Sequence, residues 1–231
     1  MVARGDLGAV RQVRAVYLQD WLCDPELPAS WRTSKKTCGS GAHGDLNAHL
    51  IDLTRALTGL EFEAVCGVQQ TFTKQRPDGR GGKAKVDVDD ALCFLAKFQG
   101  GAIGTYEATR VAPGRKNHNC IEISGEKGSI RWNLERMNEL EVFSFADPRD
   151  GQGFRTVMCM DGAHPYAANW WPDGHIVGYE HTFVHHVVDF VRALHAGKPF
   201  APDFADGVAV QAVLEAVLAS CDGGGWVKVP R

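Results

Sequence analysis

The chain has 231 residues and a formal net charge of −3, with 44% apolar and 23% charged residues. That length supports one sizeable core, so residues 1–231 are read as a single domain. The slight acidity excludes a general attraction to nucleic acid or anionic lipid, and no run approaches the ~18 apolar residues of a membrane span.

Taken in chain order, the opening Met1-Val2-Ala3-Arg4-Gly5-Asp6 lacks the apolar core of a signal peptide. A strand is expected over residues 10–18, where Val10, Val13 and Val16 recur. Residues 19–44 form a long connection with Trp21, Pro25, Pro28, Trp31 and several glycines; connections of that length in a compact domain are usually functional or disordered, and the two tryptophans favour function. A helix follows from Asp45 to Leu57, ended by Gly59. Residues 62–73 alternate as a strand, and residues 90–98 are apolar on both sides, as in a central strand. Gln99-Gly100-Gly101 turns into a strand over 102–110, and Gly125-Glu126-Lys127-Gly128 joins strands over 119–124 and 128–133. Residues 139–145 close the run, while the Gly-, Arg- and Lys-rich block 78–85 reads as a mobile loop. Two helices are expected over 179–195 and 204–221, then a short strand at Trp226-Val227-Lys228-Val229. In the first, Phe183, Val187, Phe190, Val191 and Leu194 form the apolar stripe. Hairpin-joined strands with helices at the ends predict an α+β fold. Its open, mostly antiparallel or mixed sheet would be covered by helices on one face, the other face being available for homo-oligomer contacts.

The densest chemistry lies in Gly39-Ser40-Gly41-Ala42-His43-Gly44-Asp45-Leu46-Asn47-Ala48-His49-Leu50-Ile51-Asp52. On an α-helix, Asp45, His49 and Asp52 fall within about 60° of one another, apart from the Leu46, Leu50, Leu53 and Leu57 stripe. A carboxylate that orients an imidazole beside flexible backbone suits proton transfer. Equally, Asp45 at a helix start fits a capping role with His49 a half-buried bystander. The glycines also spell G-x-G-x-x-G, but the lead-in from Trp31 to Cys38 is polar and basic, without the strand a dinucleotide loop requires. They read as places where the chain passes close to a ligand or a neighbouring helix.

Other clusters admit two readings each. His181, His185 and Asp189 stand at i, i+4 and i+8, a spacing seen in metal sets, yet they lie opposite the apolar stripe and read as a solvated face. Loop residues His164-Pro165-Tyr166 and Trp170-Trp171-Pro172-Asp173-Gly174-His175 fit either a sugar-pocket wall or loop packing. Arg110 through His118 follows a strand end and carries donors suited to polyhydroxylated or anionic ligands, or forms an exposed basic turn. The seven cysteines, odd in number and without a C-x-x-C pair, read as free thiols of a reducing cytoplasm rather than a disulfide framework or zinc site.

The ordered series resembles the C-terminal domain of the glucose–fructose oxidoreductase/inositol dehydrogenase (Gfo/Idh/MocA) family over nearly the whole chain. It comprises Val13 to Trp21 with Trp31-Arg32, the D-x-x-x-H-x-x-D helix of Asp45, His49 and Asp52, Asp89-Asp90, Gly114-Arg115-Lys116-Asn117, Gly125 to Ser129, Gly178-Tyr179-Glu180 and Gly225-Trp226-Val227. The resemblance implies that His49 acts as acid/base with Asp45 as its partner, during hydride transfer between a sugar or polyol alcohol and NAD or NADP. It further implies substrate-side roles for Arg32, Lys116, Asn117, His164 and His175. Family members carry a Rossmann domain and an E-K-P lysine before this region. The chain is therefore expected to be the substrate half, binding neither nicotinamide nor metal by itself and inactive without a separate Rossmann-domain partner. The alternative is a non-catalytic carbohydrate-binding or scaffold protein of the same fold.

Overall fold

The computed structural model describes residues 1–230. The alternating segment Val10–Leu18 forms β1, which buries Val13, Ala15 and Tyr17 on one side. Its neighbours in a nine-stranded sheet are β6 (Ile103–Thr109), paired parallel, and β7 (His118–Gly125), paired antiparallel. Every other pairing in that sheet is antiparallel. The remaining strands are β2 (Phe62–Gln70), β5 (Ala91–Phe98), β8 (Gly128–Asn133), β9 (Glu139–Ser144), β10 (Arg155–Met158) and β11 (Val227–Lys228), in the order β10-β9-β8-β7-β1-β6-β5-β2-β11. Of the block 78–85 expected to be a mobile loop, residues 83–85 form β4 (Lys83–Lys85), which pairs with β3 (Gln75–Pro77) in a small hairpin, and residues 78–82 make its turn. Positive φ at Gly79 and Gly81 supplies the reversal.

After the one-turn α1 (Lys35–Cys38), a π-helical turn at His43–Asn47 runs into α2 (Ala48–Thr58). The chain ends with α3 (Tyr179–His195) and α4 (Phe204–Gly223). Helices α2 and α4 cover one face of the sheet, in the predicted α+β arrangement. Leu50 and Ile51 of α2 and Val213 and Val217 of α4 meet Phe62, Val65, Leu92, Phe94 and Tyr106 from the strands. Tyr106 stacks on Phe94 at 4.5 Å, and its hydroxyl lies 2.9 Å from Thr54 Oγ1, which ties α2 to β6. Gly67 lets α4 lie close on β2: a Cβ there would sit 3.0 Å from Cys221 Sγ, and the Gly67 N–H donates to Ser220 Oγ at 2.9 Å. By length and apolarity α4 matches a membrane span, contrary to the sequence reading. It carries Asp206, Glu215 and Asp222, however, and packs its inner face as a core helix.

Two expectations are corrected. Strand β5 is central in the sheet but bare on one side: Leu92, Phe94, Ala96 and Phe98 are buried while Cys93 and Leu95 face out. The outer face therefore exposes an apolar strip with Val68 and Ile103, bordered by ion pairs such as Arg14–Glu122 and Arg131–Glu141. Helix α3 is turned the other way from its pattern. Phe183, Val187, Phe190, Val191 and Leu194 are exposed, whereas the His181/His185/Asp189 face is covered. Trp170 Nε1 donates to His185 Nε2 at 2.6 Å, Tyr166 stacks on the same ring at 4.3 Å, and the Tyr166 hydroxyl donates to Asp189. The indole N–H and phenol O–H find acceptors on that polar face and none on the apolar stripe. No group of three or more metal-ligating side chains is set up for a metal among the described residues.

Candidate functional site

The carboxyl ends of β1 and β6, the one parallel pair, lie side by side and deliver Tyr17, Gln19, Trp21 and Arg110 to one corner of the domain. Ends of parallel strands are common ligand sites because the loops that leave them diverge. The helix carrying Asp45 and His49 enters this corner on a clamp. The Asp89 carboxylate, 5% exposed, accepts from the Gly41 N–H at 2.6 Å and the His43 N–H at 2.8 Å, and the Asp89 carbonyl accepts from the Ala42 N–H at 3.1 Å. These are the amides a dinucleotide loop would offer a pyrophosphate. They are already satisfied by protein, so the G-x-G-x-x-G residues do not fit a nicotinamide cofactor.

His43 seats the clamp from beneath. Its ring is fully buried, with Nε2 donating to the Leu214 carbonyl at 3.0 Å and Nδ1 accepting from Asn47 Nδ2 at 3.0 Å. Burial holds this imidazole below its ordinary value of 6.5, against the opposing pull of the Leu214 carbonyl, Asp89 and Glu215. His185 is depressed in the same direction by burial and by the nearby His181. A ring whose folded pKa is lowered binds fewer protons than in the unfolded chain. Its stabilising contribution is therefore complete above pH 6.5 and is lost as pH falls through the folded value. The midpoint of urea unfolding is expected to drop between about pH 7.5 and about pH 5.5, with His43 contributing up to about 1.4 kcal/mol per pH unit. A midpoint that stays constant over that interval would contradict the buried neutral ring.

Asp45 does not pair with His49. Both of its ion pairs fall on Oδ2: Arg110 Nη2 at 2.6 Å and Arg32 Nη1 at 3.2 Å. The π turn explains the departure. It spreads residues 43–47 more widely than the α-helical spacing assumed from sequence, and Asp45 sits within it rather than at a capping position. His49 is exposed and makes no side-chain hydrogen bond among the described residues. Its ring meets the edge of Tyr17 at 5.8 Å and lines an open cleft of about 540 Å³ with Asp52, His186 and the start of α4. Burial first, then proximity to Tyr179 and Asp45, pushes the Tyr17 phenol up. It stays protonated and donates to Asn117 Oδ1 at 2.7 Å, where Gln19 Nε2 also donates at 3.0 Å.

The loop holding Asn117 is pinned by Glu135, whose Oε1 accepts from the Asn117 N–H at 2.9 Å, while Lys116 Nζ pairs with Asp20 at 2.7 Å. Trp31 lies under the Arg32 guanidinium at 4.5 Å, and Trp21 lies under that of Arg110 at 5.5 Å. The structure thus brings Arg32, Asp45, His49, Lys116 and Asn117 into one neighbourhood with Tyr17, Trp21 and Arg110. His164 and His175 are not joined to it. His164 Nδ1 lies 3.1 Å from Asp161, out of hydrogen-bonding alignment, and His175 Nδ1 donates to the Pro172 carbonyl at 2.8 Å, both within their own loop. Sequence reasoning singled out Arg110 only as the first donor of a basic stretch and gave Asp89 no role. Each acts through a contact more than 40 residues away in the chain.

Residues 1–131 match the family model described as the GFO/IDH/MocA C-terminal domain. A levoglucosan dehydrogenase of Pseudarthrobacter phenanthrenivorans is 41% identical over 244 residues, an alignment covering 100% of this chain and 62% of that protein. Among solved structures, an oxidoreductase domain protein from Kribbella flavida superposes with a TM-score of 0.96 at 50% identity, covering 100% of this chain and 61% of that one. Levoglucosan dehydrogenase bound to NADH and levoglucosan gives 0.94 at 42%, covering 99% and 61%; its complex with NADH and L-sorbose gives 0.95 at 42%, covering 100% and 61%. The chain thus spans a little over three-fifths of the length of these relatives. By this match the chain belongs to the Gfo/Idh/MocA oxidoreductase family as a C-terminal domain.

Proposed function

We propose that this chain is the substrate-binding half of an NAD(P)-dependent sugar or polyol oxidoreductase. The observation that carries this reading is His49: an imidazole with no internal partner among the described residues, set against Tyr17 near the end of β1 and lining a cleft that opens toward the start of α4. In this reading a substrate hydroxyl donates its proton to His49, the Asp45 carboxylate lies four residues earlier in the same segment, and Trp21 and Trp31 offer flat apolar faces to the C–H side of a sugar ring. Arg32, Lys116 and Asn117 supply hydrogen bonds to the remaining hydroxyls. The relatives solved with levoglucosan or L-sorbose support the substrate class.

The amides of Gly41 and His43 are taken by Asp89, so the nicotinamide belongs on a separate nucleotide-binding domain. The bare stripe of α3 and the exposed Phe204 are available to such a partner. The outer sheet strip around Leu95 and Ile103 is assigned to a homo-oligomer contact, and the seven free thiols suit a cytoplasmic setting.

The test is NAD(P) reduction by the chain supplemented with a relative's nucleotide-binding domain, across levoglucosan, L-sorbose, inositols and aldoses. Turnover that requires both components is expected. Failure with every substrate, together with sugar binding that survives His49→Ala without nucleotide, would overturn the reading in favour of a non-catalytic carbohydrate-binding protein.

A further inference from the structure

We propose that Arg110 is the positioning residue for Asp45, a buried guanidinium that fixes the carboxylate by one oxygen and leaves the other free for the reaction. The inference rests on the reading that this cluster handles a substrate alcohol. Arg110 follows the last residue of β6, and its backbone is held on both sides: its N–H donates to the Asp90 carbonyl at 3.0 Å, and its carbonyl accepts from the Leu22 N–H at 3.1 Å. Its side chain is 3% exposed, and Nη2 meets Asp45 Oδ2 at 2.6 Å. Asp45 is its one ion-pair partner among the described residues, and its Nε is buried without an acceptor. A guanidinium so enclosed gains little by swinging away, because leaving its carboxylate would strand a buried charge.

Arg32 differs in kind. Its side chain is 41% exposed, its contact is longer at 3.2 Å, and only Trp31 backs it. Arg110 is therefore the fixed arm of the pair and Arg32 the adaptable one. Both contacts use Oδ2, so Asp45 Oδ1 carries no hydrogen bond from the described residues. Two guanidinium groups on Oδ2 restrict rotation of the carboxylate, and its second oxygen stays available to substrate. The competing possibility is that Asp45 only neutralises Arg110 for the sake of the fold. That role would move stability and leave turnover per folded molecule untouched.

The experiment compares wild type, Arg110→Met and Arg110→Lys, each supplemented with the nucleotide-binding domain and with rates normalised to folded protein by circular dichroism. Arg110→Met is expected to lose about 100-fold in kcat, the scale of a misplacement near 1 Å, with KM held within about twofold. Arg110→Lys, which keeps the charge but not the planar fork, should fall between the two. Wild-type kcat in Arg110→Met, or a loss confined to KM, would overturn the proposal; should the Met variant not fold, an unimpaired kcat in Arg110→Lys would do the same. Crystal structures of the variants decide the matter even if no substrate is turned over, an outcome that would sink the functional reading alone. A displaced Asp45 carboxylate supports the positioning role, and an unmoved one refutes it.

Discussion

Replacing His49 by glutamine is expected to lower kcat of the supplemented protein by about 10²- to 10⁴-fold, the usual worth of a positioned acid/base. Glutamine keeps a similar reach and polarity but cannot cycle a proton near neutral pH. The ring is exposed and donates to no side chain among the described residues, so the same variant should unfold within about 0.5 kcal/mol of wild type. That separation of rate from stability is what a chemical role demands. A His49→Gln protein that retains full turnover would remove the proton-transfer function from this helix.

Gly41→Ala is expected to act in the opposite way, through the fold. A Cβ at this position would lie 1.9 Å from the Asp89 carbonyl oxygen and 2.9 Å from its carbon, and both are backbone atoms that cannot rotate aside. Relief requires the helix start to move off Asp89, which breaks the contacts at Gly41, Ala42 and His43 together and leaves a buried carboxylate short of donors. A loss of about 3 kcal/mol in chemical denaturation is expected. Because the same segment carries Asp45, activity of the remaining folded protein should fall as well. A change smaller than about 0.5 kcal/mol would show that Asp89 does not hold the helix as described.

Much of this architecture was legible in the residue order. The strands between Gly100-Gly101 and Gly128 stand where alternation and turn glycines predict them, because each is fixed by local periodicity. What sequence could not supply was whatever depends on partners distant in the chain. The 100° spacing put Asp45 beside His49, but one π turn redirected it to Arg32 and to Arg110, which lies 65 residues further along. Asp89 looked like one acid of a pair, yet it reaches back 48 residues to cap the site helix. On α3 the apolar stripe stands where its spacing predicts, but the opposite His181/His185/Asp189 face, expected to be solvated, is the one covered. The stripe does not say what lies against it, and the aromatics at Tyr166 and Trp170 were drawn to the polar side by their own hydrogen bonds. The alternation on β5 was obscured because its outward residues, Cys93 and Leu95, are themselves apolar.

The most direct measurement is a crystal structure of the chain joined to a nucleotide-binding domain, with cofactor and a turned-over sugar bound. The expected result places the reacting hydroxyl oxygen roughly 2.6–3.2 Å from a His49 ring nitrogen, with the sugar between that ring and the Trp21 and Trp31 rings. A sugar held instead against the outer sheet face, or within the His164–His175 loop with His49 turned to solvent, would contradict the assignment.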